Sequence, residues 1–155
     1  MTTDAAPPMT GLPGFLIRRL HQIHLALFAE ECAGFDITPV QFSIMTVVSS
    51  DPGLDQTALA HEIGVDRATL ANVLGRLETR GIVRRTKSKS NHRLKCVHIT
   101  AAGIKILEAI RPAALRAHER TVEALPPDER AAFQAALRRL VDAGNAFGRA
   151  PLRLG

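Results

Sequence analysis

The chain contains no tryptophan and no tyrosine, and its six phenylalanines lie mainly at apolar positions. That leaves no platform of exposed rings on which unpaired bases could stack, which argues against a single-strand or RNA-binding protein. Only two cysteines occur, Cys32 and Cys96, in no CxxC motif and at no zinc spacing. A reducing, cytoplasmic setting is expected. No apolar run approaches the roughly 20 residues needed to span a bilayer, so no membrane partner is expected. The opening "MTTDAAPPMTGLPG" has no basic stretch followed by an apolar one, so a secretory leader is not expected. A Gly-rich phosphate loop, a nucleophile elbow and a pair of acids at an informative spacing are all missing. Neither an enzyme nor a cofactor is therefore expected.

What is present is a single domain's worth of chain, 155 residues, nearly half of them apolar, with a net charge of +5. The charge is unevenly placed. Arg67, Arg76, Arg80, Arg84, Arg85, Lys87, Lys89, Arg93 and Lys95 face one acid, Glu78, which gives the segment +8. The other 11 cations are outnumbered by 14 acids, which leaves the remainder at −3. One strongly basic segment on a mildly acidic body is the signature of an anion-binding face, and nucleic acid is the commonest cytosolic polyanion.

Leu16, Leu20, Ile23 and Leu27 recur at helix spacing between Gly14 and about Ala33, with Ile17 and Phe28 widening the stripe. "GFD" breaks that helix. "ITPVQFSIMTVVSS" starts another, with Thr38 as N-cap and Pro39 in the first turn; Phe42, Met45 and Val48, or Ile44 and Val48, face inward. "DPG" is a turn. Asp55 caps a short helix that Gly64 ends, and Asp66 caps the next, which Gly81 ends. Two short helices about Gly64 make a helix-turn-helix. "IVRRT" and "LKCVHIT" read as strands joined by the polar loop "KSKSNHR", a β-hairpin wing. Thr100 caps a long helix with Ile104, Leu107, Leu115, His118, Val122 and Leu125 on one side and Pro112 placed to kink it. "PPDER" opens a last helix with Phe133, Leu137, Leu140 and Val141 on one face.

The fold class is thus mainly α with a small antiparallel hairpin, a winged helix-turn-helix between long terminal helices. The segments are a loose arm (1–12), an N-terminal dimerisation helix (13–36), a winged helix-turn-helix region (37–100), C-terminal dimerisation helices (101–148) and a tail (149–155), in one compact domain. The terminal helices carry wider apolar stripes than one small winged domain needs, so a homodimer is expected.

In "VDRATLANVLGRLETRGIVRR", Leu70, Val73, Leu74 and Leu77 share one helical face, and Arg67, Ala68, Ala71, Asn72, Gly75 and Arg76 the other. Small residues allow close approach to a groove, and Arg and Asn can bond base edges. Arg67, Ala68, Ala71 and Asn72 are assigned to bases, Thr69 and Arg76 to phosphates. Basic helix faces are often merely solvated, but the adjoining hairpin continues the surface with Lys87, Lys89, Asn91, His92 and Arg93. An Arg there suits the minor groove and Lys the phosphates. The partner expected is double-stranded DNA carrying a pseudo-palindromic operator with half-sites about one helical turn apart.

"ITPVQFSIM", "DPGLDQTALA", "VDRATLANVLGRLETRGIVRR" and "NHRLKCVHITAAG" follow in order the pattern of the MarR family of bacterial winged-helix regulators, which the chain resembles over roughly residues 36–105. The set from Leu77 and Glu78 through Gly81, Val83 and Arg85 to Arg93, Val97 and Thr100 carries the resemblance. It departs at Asn91, where the family usually has an acid that orients the wing arginine. The resemblance implies a dimeric repressor of its own or nearby genes, released by a small molecule. In this family effectors such as aromatic carboxylates, phenolic acids and their thioesters commonly sit between the dimerisation helices and the winged region.

His24 lies in the middle of the first helix's apolar stripe, with His21 at its edge and Arg19 at the other margin. A histidine there needs a partner. A satisfied interface histidine is the plain reading. A metal pair of His21 and His24 finds no third ligand at a recognised spacing, so no metal is expected. The third reading is an effector pocket lined by Phe15, Arg19, His21, His24, Phe42 and Met45, taking an aromatic carboxylate or an aryl-CoA thioester. A redox-responsive regulator working through Cys32 is an alternative, although Glu30 and Glu31 beside it disfavour a thiolate. A non-sensing architectural DNA-binding protein is another.

Overall fold

The computed structural model of the chain describes residues 8–148. The expected tail and residues 1–7 of the expected arm lie outside them; Met9–Gly11 form one exposed 3-10 turn. Among the described residues six α-helices and one two-stranded sheet follow in the order α1 (Pro13–Glu31), α2 (Pro39–Ser50), α3 (Gln56–Ile63), α4 (Arg67–Thr79), β1 (Val83–Lys87), β2 (Lys95–Ile99), α5 (Ala101–Val122) and α6 (Pro127–Gly144). Among the described residues no helix is long and apolar enough to cross a membrane.

The helix starts follow from short polar side chains. Thr38 Oγ1 accepts from the Gln41 N–H at 3.2 Å, while Gln41 Oε1 accepts from the Thr38 N–H at 2.9 Å, a reciprocal capping box. Asp55 Oδ1 accepts from the backbone of Thr57 and Ala58 at 2.9 and 3.0 Å. Gly64, at φ 74°, ends α3 in the left-handed conformation that a Cβ would penalise. On α2 both inward sets expected from the sequence merge: Ile44, Met45 and Val48 are buried, and Phe42 is half-buried.

Strands β1 and β2 pair antiparallel, with Arg85 opposite Val97 and Thr86 opposite Cys96. The turn at 51–53 does more than turn. Val97 N–H donates to Leu54 C=O and Gly53 N–H to Val97 C=O, both at 3.0 Å, and Asp55 bridges to Cys96. The wing is thereby pinned to the start of α3. Thr100 locks the other edge: its hydroxyl donates to Gly81 C=O at 2.6 Å and accepts from Gly103 N–H at 3.0 Å. Gly103 lies so close to the preceding turn that an added Cβ would stand 2.2 Å from Ile82 C=O.

Helix α5 corrects the sequence reading. Its buried face is Leu107, Ile110, Ala113, Ala114 and Ala117, packed along α1, whereas Ile104 and Leu115 are 39 and 54% exposed and His118 is exposed. Small alanines let the two helices approach, so the buried stripe is not the one with the largest side chains. Glu31 accepts from Arg116 at 3.0 Å and from Arg120 at 2.8 Å, and Glu30 from Arg120 at 3.0 Å, which fastens the end of α1 to α5. Helix α6 has no buried residue; Leu137, Leu140 and Val141 are exposed and Phe133 half-buried.

Candidate nucleic-acid interface

Helix α4 owes its orientation to Leu70, Leu74 and Leu77, all fully buried, with Val73 packed beside them. That leaves Arg67, Ala68, Ala71, Asn72 and Arg76 exposed and Gly75 half-exposed on the outer side. The interleaving of leucines and cations is therefore a two-sided helix. Asp66 holds its start: Oδ1 accepts from Thr69 N–H at 2.8 Å and Oδ2 from the Thr69 hydroxyl at 2.6 Å. Those bonds hold the Asp66 carboxyl below its usual range. A phosphate would have to compete with Asp66 for the Thr69 hydroxyl.

The wing loop is ordered by its own backbone. Ser88 N–H donates to Leu94 C=O and Leu94 N–H to Asn91 C=O, both at 2.9 Å, and Asn91 Oδ1 accepts from Arg93 N–H at 3.1 Å. Asn91 thus fixes the main chain under Arg93 without a charge, and Lys87, Lys89, His92 and Arg93 remain exposed.

Two hollows flank α4. One, of about 300 Å³, is lined by Gln56 and Thr57 of α3, Arg67 and Ala71 of α4, and Arg85, Arg93, Leu94 and Lys95 of the wing. The other, of about 660 Å³, runs between Thr38 and Gln41 at the start of α2 and Ala71, Asn72, Gly75, Arg76 and Arg80 of α4. Ala71 lines both, so α4 stands as a ridge between two grooves. A duplex offers a matching shape, a groove that takes the helix and two phosphate strands on either side. Gln56 and Thr57 escaped the sequence reading, their only signal being polar character at the start of the helix before α4; Lys95 was counted in the basic segment but not assigned to a site.

Two of the nine cations counted in the basic segment serve the protein itself, which corrects the expectation of one continuous face. Arg80 donates to the carbonyls of Phe35 and Asp36, tying the end of α4 to the α1–α2 turn. Arg85 donates three times to Glu78 and holds the Glu78 carboxyl below its usual range.

The residues expected to line an effector pocket are dispersed. Phe15 lies under the Arg18 guanidinium, 5.3 Å from its carbon, and Arg19 donates to Gln22 at 2.8 Å on the exposed first turns of α1. His21 is exposed and Met45 has no exposed surface. His24 and Phe42 are linked through Phe28, with ring centroids 6.2 Å apart for His24–Phe28 and 6.0 Å for Phe28–Phe42. His24 also stacks obliquely on His118 at 4.7 Å. The Thr121 hydroxyl donates to Ala117 C=O at 2.7 Å, so its 2.8 Å contact with His24 Nδ1 has the imidazole N–H as donor. Burial, then His118 and His21, hold the His24 pKa below its usual value. A separate hollow of about 590 Å³ opens at the end of α1, lined by Leu25, Phe28, Cys32, Ile37 and Pro39 among others.

Residues 37–95 match the MarR family. The transcriptional regulator HosA of Escherichia coli O111:H- is 34% identical over 127 residues, 82% of this chain and 93% of HosA. The chain belongs to the MarR family. Its structure is similar to that of the PcaV transcriptional regulator of Streptomyces coelicolor in complex with its natural ligand (TM-score 0.83, 28% identity, 90% of this chain and 99% of that one). It is similar also to BpsR of Bordetella bronchiseptica, solved for the mechanism by which 6-hydroxynicotinic acid regulates DNA binding (TM-score 0.84, 25% identity, 88% and 97%). This MarR-family chain is a DNA-binding transcriptional regulator built on a winged helix-turn-helix.

Proposed function

We propose that this regulator is a homodimeric repressor that a small aromatic acid, or its thioester, releases from a pseudo-palindromic operator in the cytoplasm. The observation that carries the DNA half is the α4 ridge, with small and polar residues on its crest and Arg67, Arg93 and Lys95 lining the hollow beside it. Arg67, Ala68, Ala71 and Asn72 meet bases, Arg76, Lys87 and Lys89 meet phosphates, and His92 and Arg93 enter the adjoining minor groove, with Asn91 bracing that turn. Helix α6 supports the dimer. A helix with exposed Leu137, Leu140 and Val141 and no buried residue is unsatisfied in one copy, and Leu16, Ile17 and Ile23 of α1 offer a matching apolar surface.

The effector reading is supported by the rings around His24 and by the likeness to BpsR, whose regulating ligand is an aromatic carboxylate. An acid at the junction of α1 and α5 would accept from Arg19, or from Nε2 of His24 once that ring takes up a second proton, and shift α5 against α1, changing the separation of the two reading helices. The redox alternative through Cys32 is disfavoured: the thiol is 4% exposed, and burial, then Glu31, push its pKa up.

The test is a mobility-shift titration with the DNA upstream of the chain's own gene against an unrelated duplex. The same titration is repeated with 6-hydroxynicotinate and related aryl carboxylates, and at rising salt. Expected are preference for the upstream duplex, steep loss of affinity with salt, and release by at least one aromatic acid. Equal affinity for both duplexes overturns the operator reading; release by none of the acids overturns the effector class.

A further inference from the structure

The hollow between α3, α4 and the wing contains one group that the fold leaves unsatisfied. Gln56 Oε1 is a buried acceptor with no hydrogen bond among the described residues. The groups that share the hollow with it are almost all donors: Thr57, Arg67, Arg85, Arg93 and Lys95. Arg85 is engaged by Glu78, and Lys95 lies in the field of that same carboxylate. Asp55, the nearest acid in sequence, accepts from the backbone of Thr57 and Ala58. Arg67 and Arg93 make no side-chain hydrogen bond or ion pair among the described residues, and Arg67 is the first residue of the reading helix.

A guanidinium presents five N–H donors on a rigid plane, enough to serve two acceptors from two edges. A carbonyl fixed in the protein can hold one edge and thereby aim the other. We propose that Gln56 is the positioning residue for Arg67. In the bound complex Gln56 Oε1 accepts from one edge of the Arg67 guanidinium and directs the opposite edge at the O6 and N7 of a guanine in the major groove. In the free protein the acceptor waits unpaired and the arginine is loose. Closing a duplex over the hollow strips water from the exposed guanidinium and drives it onto the acceptor that the fold has already desolvated. Gln56 acts here on specificity and never touches the base, and the proposal rests on the operator reading above.

The test uses the full-length protein and a duplex that the wild-type chain selects from a random pool, with its single-base-pair variants and an unrelated duplex. Gln56→Leu is expected to keep the melting temperature at or above wild type, because it deletes an unpaired buried acceptor. It should hold affinity for the unrelated duplex within about twofold, since no phosphate contact is lost. On the selected duplex it should lose about tenfold, concentrated at one G·C pair per half-site. Arg67→Ala should lose discrimination at that same pair, and the Gln56→Leu, Arg67→Ala double variant should be no worse than Arg67→Ala alone. Gln56→Leu combined with Arg93→Ala should be additive, and Gln56→Glu should retain discrimination at the pair. If Gln56→Leu does not fold, Gln56→Ser carries the same comparison. Wild-type discrimination in the Gln56 variants, or coupling to Arg93 in place of Arg67, overturns the assignment while leaving the operator reading intact. A wild-type chain that selects no duplex overturns both.

Discussion

Glu78, in the last turn of α4, takes three hydrogen bonds from Arg85 on β1. The backbone N–H donates to Oε1 at 3.0 Å, and Nε and Nη2 donate to Oε2 at 3.0 and 2.6 Å. This contact ties the side of the reading helix directly to the wing, so its loss should be read in DNA binding before it is read in unfolding. Glu78→Ala should lower stability by only about 1 kcal/mol, because the pair is partly exposed and screened. It should weaken operator binding by more than that, measured by titration beside chemical denaturation. The carboxyl's folded pKa lies below its unfolded value, so its contribution is complete above about pH 4.5 and disappears as acid carries the pH through the folded value. Glu78→Gln should abolish that part of the acid dependence.

Gly103 and Gly75 are both helical glycines with opposite tolerance. A Cβ on Gly103 would meet Ile82 C=O at 2.2 Å, while one on Gly75 meets nothing within 4 Å. Gly103→Ala should destabilise by about 3 kcal/mol, since backbone cannot yield as a side chain can. Gly75→Ala should stabilise by about 1 kcal/mol through helix propensity. Urea midpoints of the two variants check both signs.

His24 is held neutral by burial and by its histidine neighbours. The unfolded chain therefore takes up the proton first as pH falls below about 6.5. Stability is complete above that value and declines until the folded pKa is passed. Thermal melts from pH 8 to 5 should show that decline in the wild type and a flatter profile in His24→Gln, which keeps a donor for Thr121.

Cys32 should resist alkylation. Its thiol is almost fully covered and its pKa is raised by burial and by Glu31, whereas Cys96 on the wing is only half-buried. Mass spectrometry after iodoacetamide treatment of the native protein should find Cys96 modified ahead of Cys32. Peroxide should leave operator affinity of a Cys32→Ser variant and of the wild type alike.

Asn91 braces the wing through an acceptor, not a charge. Asn91→Asp should preserve operator affinity within a few-fold, and Asn91→Ala should reduce it about tenfold by freeing the main chain under Arg93. Fluorescence anisotropy on a labelled operator measures both.

Local chemistry was legible in the sequence and long-range partnership was not. Thr38, Asp55, Asp66 and Thr100 cap helices where the sequence put them, because a cap is decided within three residues. The Thr38–Gln41 box was equally local and was overlooked. The alanines of α5 were hidden because apolar bulk is a poor guide when close helix approach selects small side chains. Arg80 and Arg85 counted as surface charge because a sequence gives an arginine's sign and not its direction. Thr121, 97 residues from His24, and Leu54, which pairs with Val97, could be found only in three dimensions.

The contact at Gly103 has a mechanical meaning. With no clearance between the start of α5 and Ile82, sliding that helix toward the turn would cost a backbone clash, so tilting about this fulcrum would be its cheaper movement. Its 22 residues make a lever of about 33 Å, so a tilt of about 5° carries the far end, beside Thr121 and His24, through about 3 Å. On the proposed effector reading, a push at the distal end would reach the wing as torque about this point.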